Sequence, residues 1–86
     1  MVERAVTLGS ESGLHARPAA IFVQNAKGFL CSITLSKNEK TVNAKSILSV
    51  LTLGAEQGDR VVLHADGEDA ELAIDQLTAL LEGDLG

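Results

Sequence analysis

The sequence has no tryptophan and no tyrosine, and its only aromatic residues are Phe22 and Phe29, so any core must be built from aliphatic side chains. Cysteine is nearly absent too, with Cys31 alone. That excludes an internal disulfide and leaves a cysteine-based metal site short of ligands, as suits a reducing compartment. No apolar run approaches the roughly 20 residues of a membrane-spanning helix. Met1-Val2-Glu3-Arg4 leads into folded-looking sequence without the apolar stretch of a signal peptide, so a cytoplasmic protein is expected. Basic residues are scarce, seven Lys and Arg against twelve Asp and Glu, for a formal net charge of -5. Nucleic acid and anionic lipid are attracted by clustered cations, so neither is expected as a partner.

What is present is globular in character, 45% hydrophobic and 22% charged, and 86 residues suffice for one small domain spanning residues 1–86. Val2, Val6 and Leu8 alternate with Glu3, Ala5 and Thr7, the period of a strand with one buried face. Residues 9–13 read as a loop. Pro18 suits a first helical turn, and Ala19, Phe22, Val23 and Ala26 follow at helical spacing, which predicts a helix over 16–27 with Gly28 as a left-handed stop. Cys31, Ile33 and Leu35 alternate with polar residues, and the stretch Lys37 to Lys40 leads to a short strand around Val42, a hairpin pattern. Ser46 precedes the apolar run Ile47 to Leu53, closed by Gly54, as in a short capped helix. Val61, Leu63 and Ala65 mark a fourth strand. Ala73, Ile74, Leu77 and Leu81 stripe a last helix over 70–82, with Asp69 or a neighbour as its cap and Glu68, Asp69 and Glu71 complementing its dipole. The order βαββαβα, with strands apolar on one face, predicts an α+β two-layer open-faced sandwich: a four-stranded antiparallel sheet with three helices on one face.

The chemistry concentrates in Gly13-Leu14-His15-Ala16-Arg17-Pro18-Ala19, which places a histidine and an arginine at the opening turn of the first helix. A helix N-terminus presents unpaired N–H groups and positive potential, and so favours phosphate. Arg17 adds a guanidinium suited to gripping phosphoryl oxygens in two places. A neutral imidazole nitrogen of His15 is a competent nucleophile near neutral pH. The nearest acidic residue in the local sequence is Glu11, with no hydrolytic carboxylate pair or metal cluster beside it, which favours carrying a phosphoryl group over cleaving one. Residue types alone also allow His15 a capping or surface role and Arg17 a solvated one.

The segment Gly13 to Ala19 resembles the phosphoacceptor signature of the histidine-containing phosphocarrier family, HPr, of the bacterial sugar phosphotransferase system. Lys40-Thr41-Val42-Asn43-Ala44-Lys45-Ser46-Ile47, followed by Thr52-Leu53-Gly54, is similar to that family's second signature, around a regulatory serine. The resemblance implies a carrier, not an enzyme. It implies that His15 accepts phosphate at Nδ1 from a phosphoenolpyruvate-dependent enzyme I and donates it to IIA domains of sugar permeases, with Arg17 stabilising the phosphoryl group. It also implies an HPr kinase/phosphorylase acting on Ser46 and a transcriptional regulator as further partners. No cofactor or metal is implied, and a monomer is expected.

Ser46 has a sufficient structural role as a helix cap, contributing roughly 1 kcal/mol. A phosphate there would sit on the helix dipole and act through surface charge. Ile47, Leu48 and Leu51 share one face of the short helix while Val50 and Leu53 point elsewhere, and a peripheral helix does not easily bury both, so one apolar face is expected to stay exposed for docking. The resemblance implies that the docking face is Ile47, Leu48 and Leu51, alongside Ala20, Gln24 and Lys27 of the first helix. His64 is expected as a solvated histidine on the open sheet face, and Cys31 as a small core residue. Competing readings are a nitrogen-branch carrier, a regulatory paralogue acting mainly by docking, and a histidine-dependent phosphohydrolase, the last disfavoured by the missing second acid or metal.

Overall fold

A computed structural model describes residues 1–9, 11 and 13–83. Along the chain run β1 (Val2–Thr7), α1 (Ala16–Lys27), β2 (Ser32–Lys37), β3 (Lys40–Asn43), α2 (Ile47–Thr52), β4 (Arg60–Asp66) and α3 (Ala70–Glu82). This is the predicted element order. The strands form one antiparallel sheet in the order β1-β4-β2-β3, so the first strand lies beside the last.

Register follows from burial. Val6 pairs with Val61, Leu35 with both Leu63 and Val42, and Ile33 with Ala65, all directed to the helical layer. The alternate positions pair on the other face, Glu3 with His64 and His64 with Thr34. A slip of one residue would turn every inward side chain outward, which fixes the pairing. Phe22 of α1, Ile74, Leu77 and Leu81 of α3, and Val50 of α2 close the core from the helical side. Each such burial stabilises by roughly 1.5–3 kcal/mol, with no tryptophan or tyrosine needed.

Three local expectations are corrected. Gly28 is right-handed (φ -74), and α1 ends through short bonds from Gly28 N–H to Asn25 C=O (3.1 Å) and Phe29 N–H to Ala26 C=O (3.2 Å). These tighten the last turn, so no left-handed residue is required. A left-handed glycine does follow α2, at Gly54 (φ +65). His64 is half-buried, and its Nδ1 lies 3.2 Å from Glu3 Oε2, so it is a paired and not a solvated histidine on the open face.

Asp69 is the third. It occupies the N-cap position of α3, yet its carboxylate makes no bond to that helix. Instead Oδ2 accepts from Leu30 N–H (2.8 Å) and Oδ1 from Cys31 N–H (2.9 Å), tying the α1–β2 connection to the start of α3. The Leu30 N–H above all, then the Cys31 thiol, holds the Asp69 carboxyl below the usual carboxylate range. Cys31 is buried as expected, and desolvation raises its thiol.

Because the folded-state value of Asp69 is depressed, its contribution to stability is complete above the ordinary carboxylate range and is lost as pH falls through the folded value. We expect Asp69→Asn to be less stable than the parent at neutral pH, with the gap narrowing on acidification. Denaturant unfolding across that pH range measures it; a gap constant down to the acid limit would contradict the assignment.

Candidate functional site

The site is assembled around a turn that lies far from His15 in sequence. Asp59 N–H donates to Glu56 C=O (3.0 Å) and Glu56 N–H donates to Asp59 Oδ2 (2.8 Å), closing residues 56–59 with Gly58 at φ +86. Lys37 Nζ sits 2.9 Å from Asp59 Oδ2 and donates to Gly54 C=O (3.1 Å). Lys37 first, and the Glu56 N–H second, hold the Asp59 carboxyl below its ordinary value.

This turn is laced to the connection between β1 and α1. Leu8 N–H donates to Asp59 C=O (3.0 Å), Gly58 N–H to Leu8 C=O (2.9 Å), and Leu14 N–H to Ala55 C=O (2.9 Å). Gly13 makes the last contact feasible. Its backbone is left-handed (φ +61), and a Cβ there would meet Ala55 O at 2.4 Å and the Glu56 Cα at 2.7 Å. Leu14 is buried in the core, which directs the next side chain, His15, to the surface.

His15 is the N-cap residue of α1, with extended backbone (φ -87, ψ -168), and its C=O accepts from Ala19 N–H (2.8 Å). Its side chain does not cap the helix, so the imidazole is available for other work. The N–H groups of Ala16 and Arg17 precede the first intrahelical bond and Pro18 has none, so the helix opens as a small electropositive site beside the ring. Arg17 is exposed in the same turn.

The sequence reading is corrected at this point. Glu56, 41 residues away, is the carboxylate at His15, with Oε1 2.7 Å and Oε2 3.2 Å from Nε2. An ionised carboxylate only accepts, so Nε2 carries a proton, and in the neutral imidazole the lone pair is then on Nδ1. Nothing in the spacing of Glu56 to Asp59 names the loop they hold.

Ser46 caps α2, its Oγ accepting from Ser49 N–H at a long 3.4 Å. Val50 of that short helix and Leu53 just past its end are buried, whereas Ile47, Leu51 and above all Leu48 (75% exposed) face outward. The predicted division of α2 into two apolar faces therefore holds. Gln24 and Lys27 are exposed on α1, which packs on α2, and Ala20 is half-buried. Among the described residues no helix is long and apolar enough to cross a membrane.

Residues 2–83 match the family model described as the PTS HPr component phosphorylation site. The chain is 43% identical over 82 residues to the phosphocarrier protein HPr of Vibrio cholerae, covering 95% of this chain and 96% of that one. A crystal structure of HPr-C-His from Thermoanaerobacter tengcongensis is similar at TM-score 0.92 and 48% identity, covering 95% of this chain and 92% of that one. The Bacillus subtilis catabolite repression protein Crh, described as a dimer with a swapped domain, is similar at TM-score 0.77 and 43% identity, covering 95% and 94%.

Gly13→Ala is expected to destabilise by roughly 2–4 kcal/mol, combining left-handed strain with overlap on the Ala55–Glu56 backbone. Gly54→Ala, equally left-handed (φ +65) but in open space, should cost only about 1 kcal/mol. Chemical denaturation of the pair checks the contrast.

Proposed function

The chain belongs to the HPr family of phosphocarrier proteins, and from that premise we propose that His15 Nδ1 takes a phosphoryl group from enzyme I and gives it to IIA domains of sugar permeases. The family carries phosphoryl groups and does not turn substrate over, so the reactions belong to its partners. One observation supports the residue and the atom: His15 stands at the open end of α1 with Nε2 engaged by Glu56. A phosphoryl group on Nδ1 has the helix N–H groups and the Arg17 guanidinium within the same turn, and their positive potential balances its charge.

His15, Arg17 and the outward face of α2 come from one chain, so a monomer suffices for the transfer, in the cytoplasm where donor and acceptor domains are met. Ile47, Leu48 and Leu51, with Ala20, Gln24 and Lys27, form the docking face. Exposed apolar residues beside a reactive group are what a transient partner needs to exclude water. Ser46 at the edge of that face gives the second reading, in which phosphate on Oγ alters partner fit by its charge, with a kinase and a transcriptional regulator as the corresponding partners.

Incubation with phosphoenolpyruvate and enzyme I should add about 80 Da, the mass of one phosphoryl group, in an acid-labile form that is absent from His15→Ala. An acid-stable adduct persisting in that variant would sink the assignment. Leu48→Asp should raise the KM for enzyme I by about tenfold or more while leaving the melting temperature unchanged; an unchanged KM would remove α2 from the docking face. For Ser46, ATP and an active HPr kinase should give an acid-stable adduct lost in Ser46→Ala, and no adduct would leave it a helix cap only.

A further inference from the structure

We infer that Glu56 is a positioning residue for phosphoryl transfer: its carboxylate holds the proton on His15 Nε2, keeps the lone pair on Nδ1, and balances the positive charge that the ring acquires when Nδ1 is phosphorylated. The inference rests on His15 being the acceptor. It goes beyond that reading by giving a role to a residue that lies outside both sequence signatures.

The geometry carries the argument. Oε1 approaches Nε2 at 2.7 Å, a distance typical of a charge-assisted bond, and Oε2 closes to 3.2 Å on the same nitrogen. The contact is not a chance meeting of two mobile side chains. Both backbones are fixed against each other by the Leu14 N–H to Ala55 C=O bond and by the close seat of Gly13 on Ala55 and Glu56. Glu56 is held from below by its own N–H on Asp59, which Lys37 anchors in turn.

In the forward step the Nδ1 lone pair forms a bond to phosphorus as the donor's bond to the same phosphorus breaks, the departing pair staying with the donor. Nε2 keeps its proton throughout, so the ring becomes cationic at the moment the bond forms. Glu56 meets that charge on the side of the ring away from the phosphoryl group. In the return step the P–N pair goes back to Nδ1, the acceptor forms its own bond to phosphorus, and the ring is neutral again. No oxidant, metal or extra proton donor enters either step. The same placement answers the hydrolysis question raised by the sequence: a carboxylate bonded to Nε2 is on the wrong side of the ring to activate water towards phosphorus on Nδ1.

Both side chains are more than half exposed in the free protein, where such a pair contributes little to stability. Covering the site with a partner removes water and strengthens the interaction. Its effect therefore belongs to the transfer complex and should appear in kcat, not in folding.

The test compares wild type, Glu56→Gln, Glu56→Asp and Glu56→Ala with phosphoenolpyruvate and enzyme I. Glu56→Gln retains an acceptor oxygen and loses only the charge. We expect its kcat for phosphoryl acceptance to fall roughly tenfold with KM within about twofold, as for other outer residues that orient a reactive histidine. Glu56→Asp should recover part of the loss and Glu56→Ala none. Nitrogen-15 spectra of the His15 ring should show the bonded Nε2–H signal in wild type and its loss in Glu56→Ala, with melting temperatures unchanged. An unaltered kcat in Glu56→Gln, or a change confined to KM, overturns the inference while leaving His15 as acceptor. Failure of the wild type to form any acid-labile adduct overturns the acceptor itself.

Discussion

The hydrogen bond from Leu14 N–H to Ala55 C=O, made close by the missing side chain of Gly13, decides where His15 and Glu56 meet. It joins the loop entering α1 to the turn entering β4, two segments that the sheet places side by side because β1 pairs with β4. On one side of the bond Leu14 is sunk in the core, so His15 emerges at a fixed point on the surface. On the other, Ala55 is buried and Glu56 emerges opposite. The apolar interior thus sets the distance between two exposed side chains that have little energy of their own to set it.

Stability and chemistry are divided accordingly. Stability resides in the aliphatic layer between sheet and helices, where Phe22 is the only aromatic ring fully enclosed. The chemical groups lie outside that layer, held by backbone bonds and by two carboxylates, Asp59 and Asp69, that accept from backbone N–H groups. Asp69 clamps two distant segments through N–H groups, whereas Asp59 closes its own turn and ties it to Lys37, roles in which charge-assisted bonds surpass neutral ones.

Local periodicity made the architecture legible. Alternation in Val61, Leu63 and Ala65 and the stripe of Ala73, Ile74, Leu77 and Leu81 identify their elements because burial acts on each side chain in turn. The division of α2 into two apolar faces was legible for the same reason, but which face turns outward was not, since helical spacing alone does not choose between them. Glu56 was not. Its meeting with His15 depends on a sheet pairing and a loop contact between residues 41 apart, and no short-range pattern encodes either. Asp69 shows the complementary failure: its position is that of a helix cap, but two unpaired N–H groups at Leu30 and Cys31 compete for the carboxylate and win. At Gly28 the residue type suggested a left-handed end that the short bonds to Asn25 and Ala26 made unnecessary.

The pairing of the first strand with the last has a consequence for the protein while it is being made. His15 leaves the ribosome 41 residues before Glu56, an interval of about 2–8 seconds at synthesis rates of about 5–20 residues per second. β4, which must zip beside β1 to bring the two loops together, is later still. A nascent chain therefore displays its histidine without the carboxylate or the ordered helix entrance, and gains both only when the sheet closes. Completion of the fold is thus what first sets the two side chains against each other, and an unfinished chain has the one without the other.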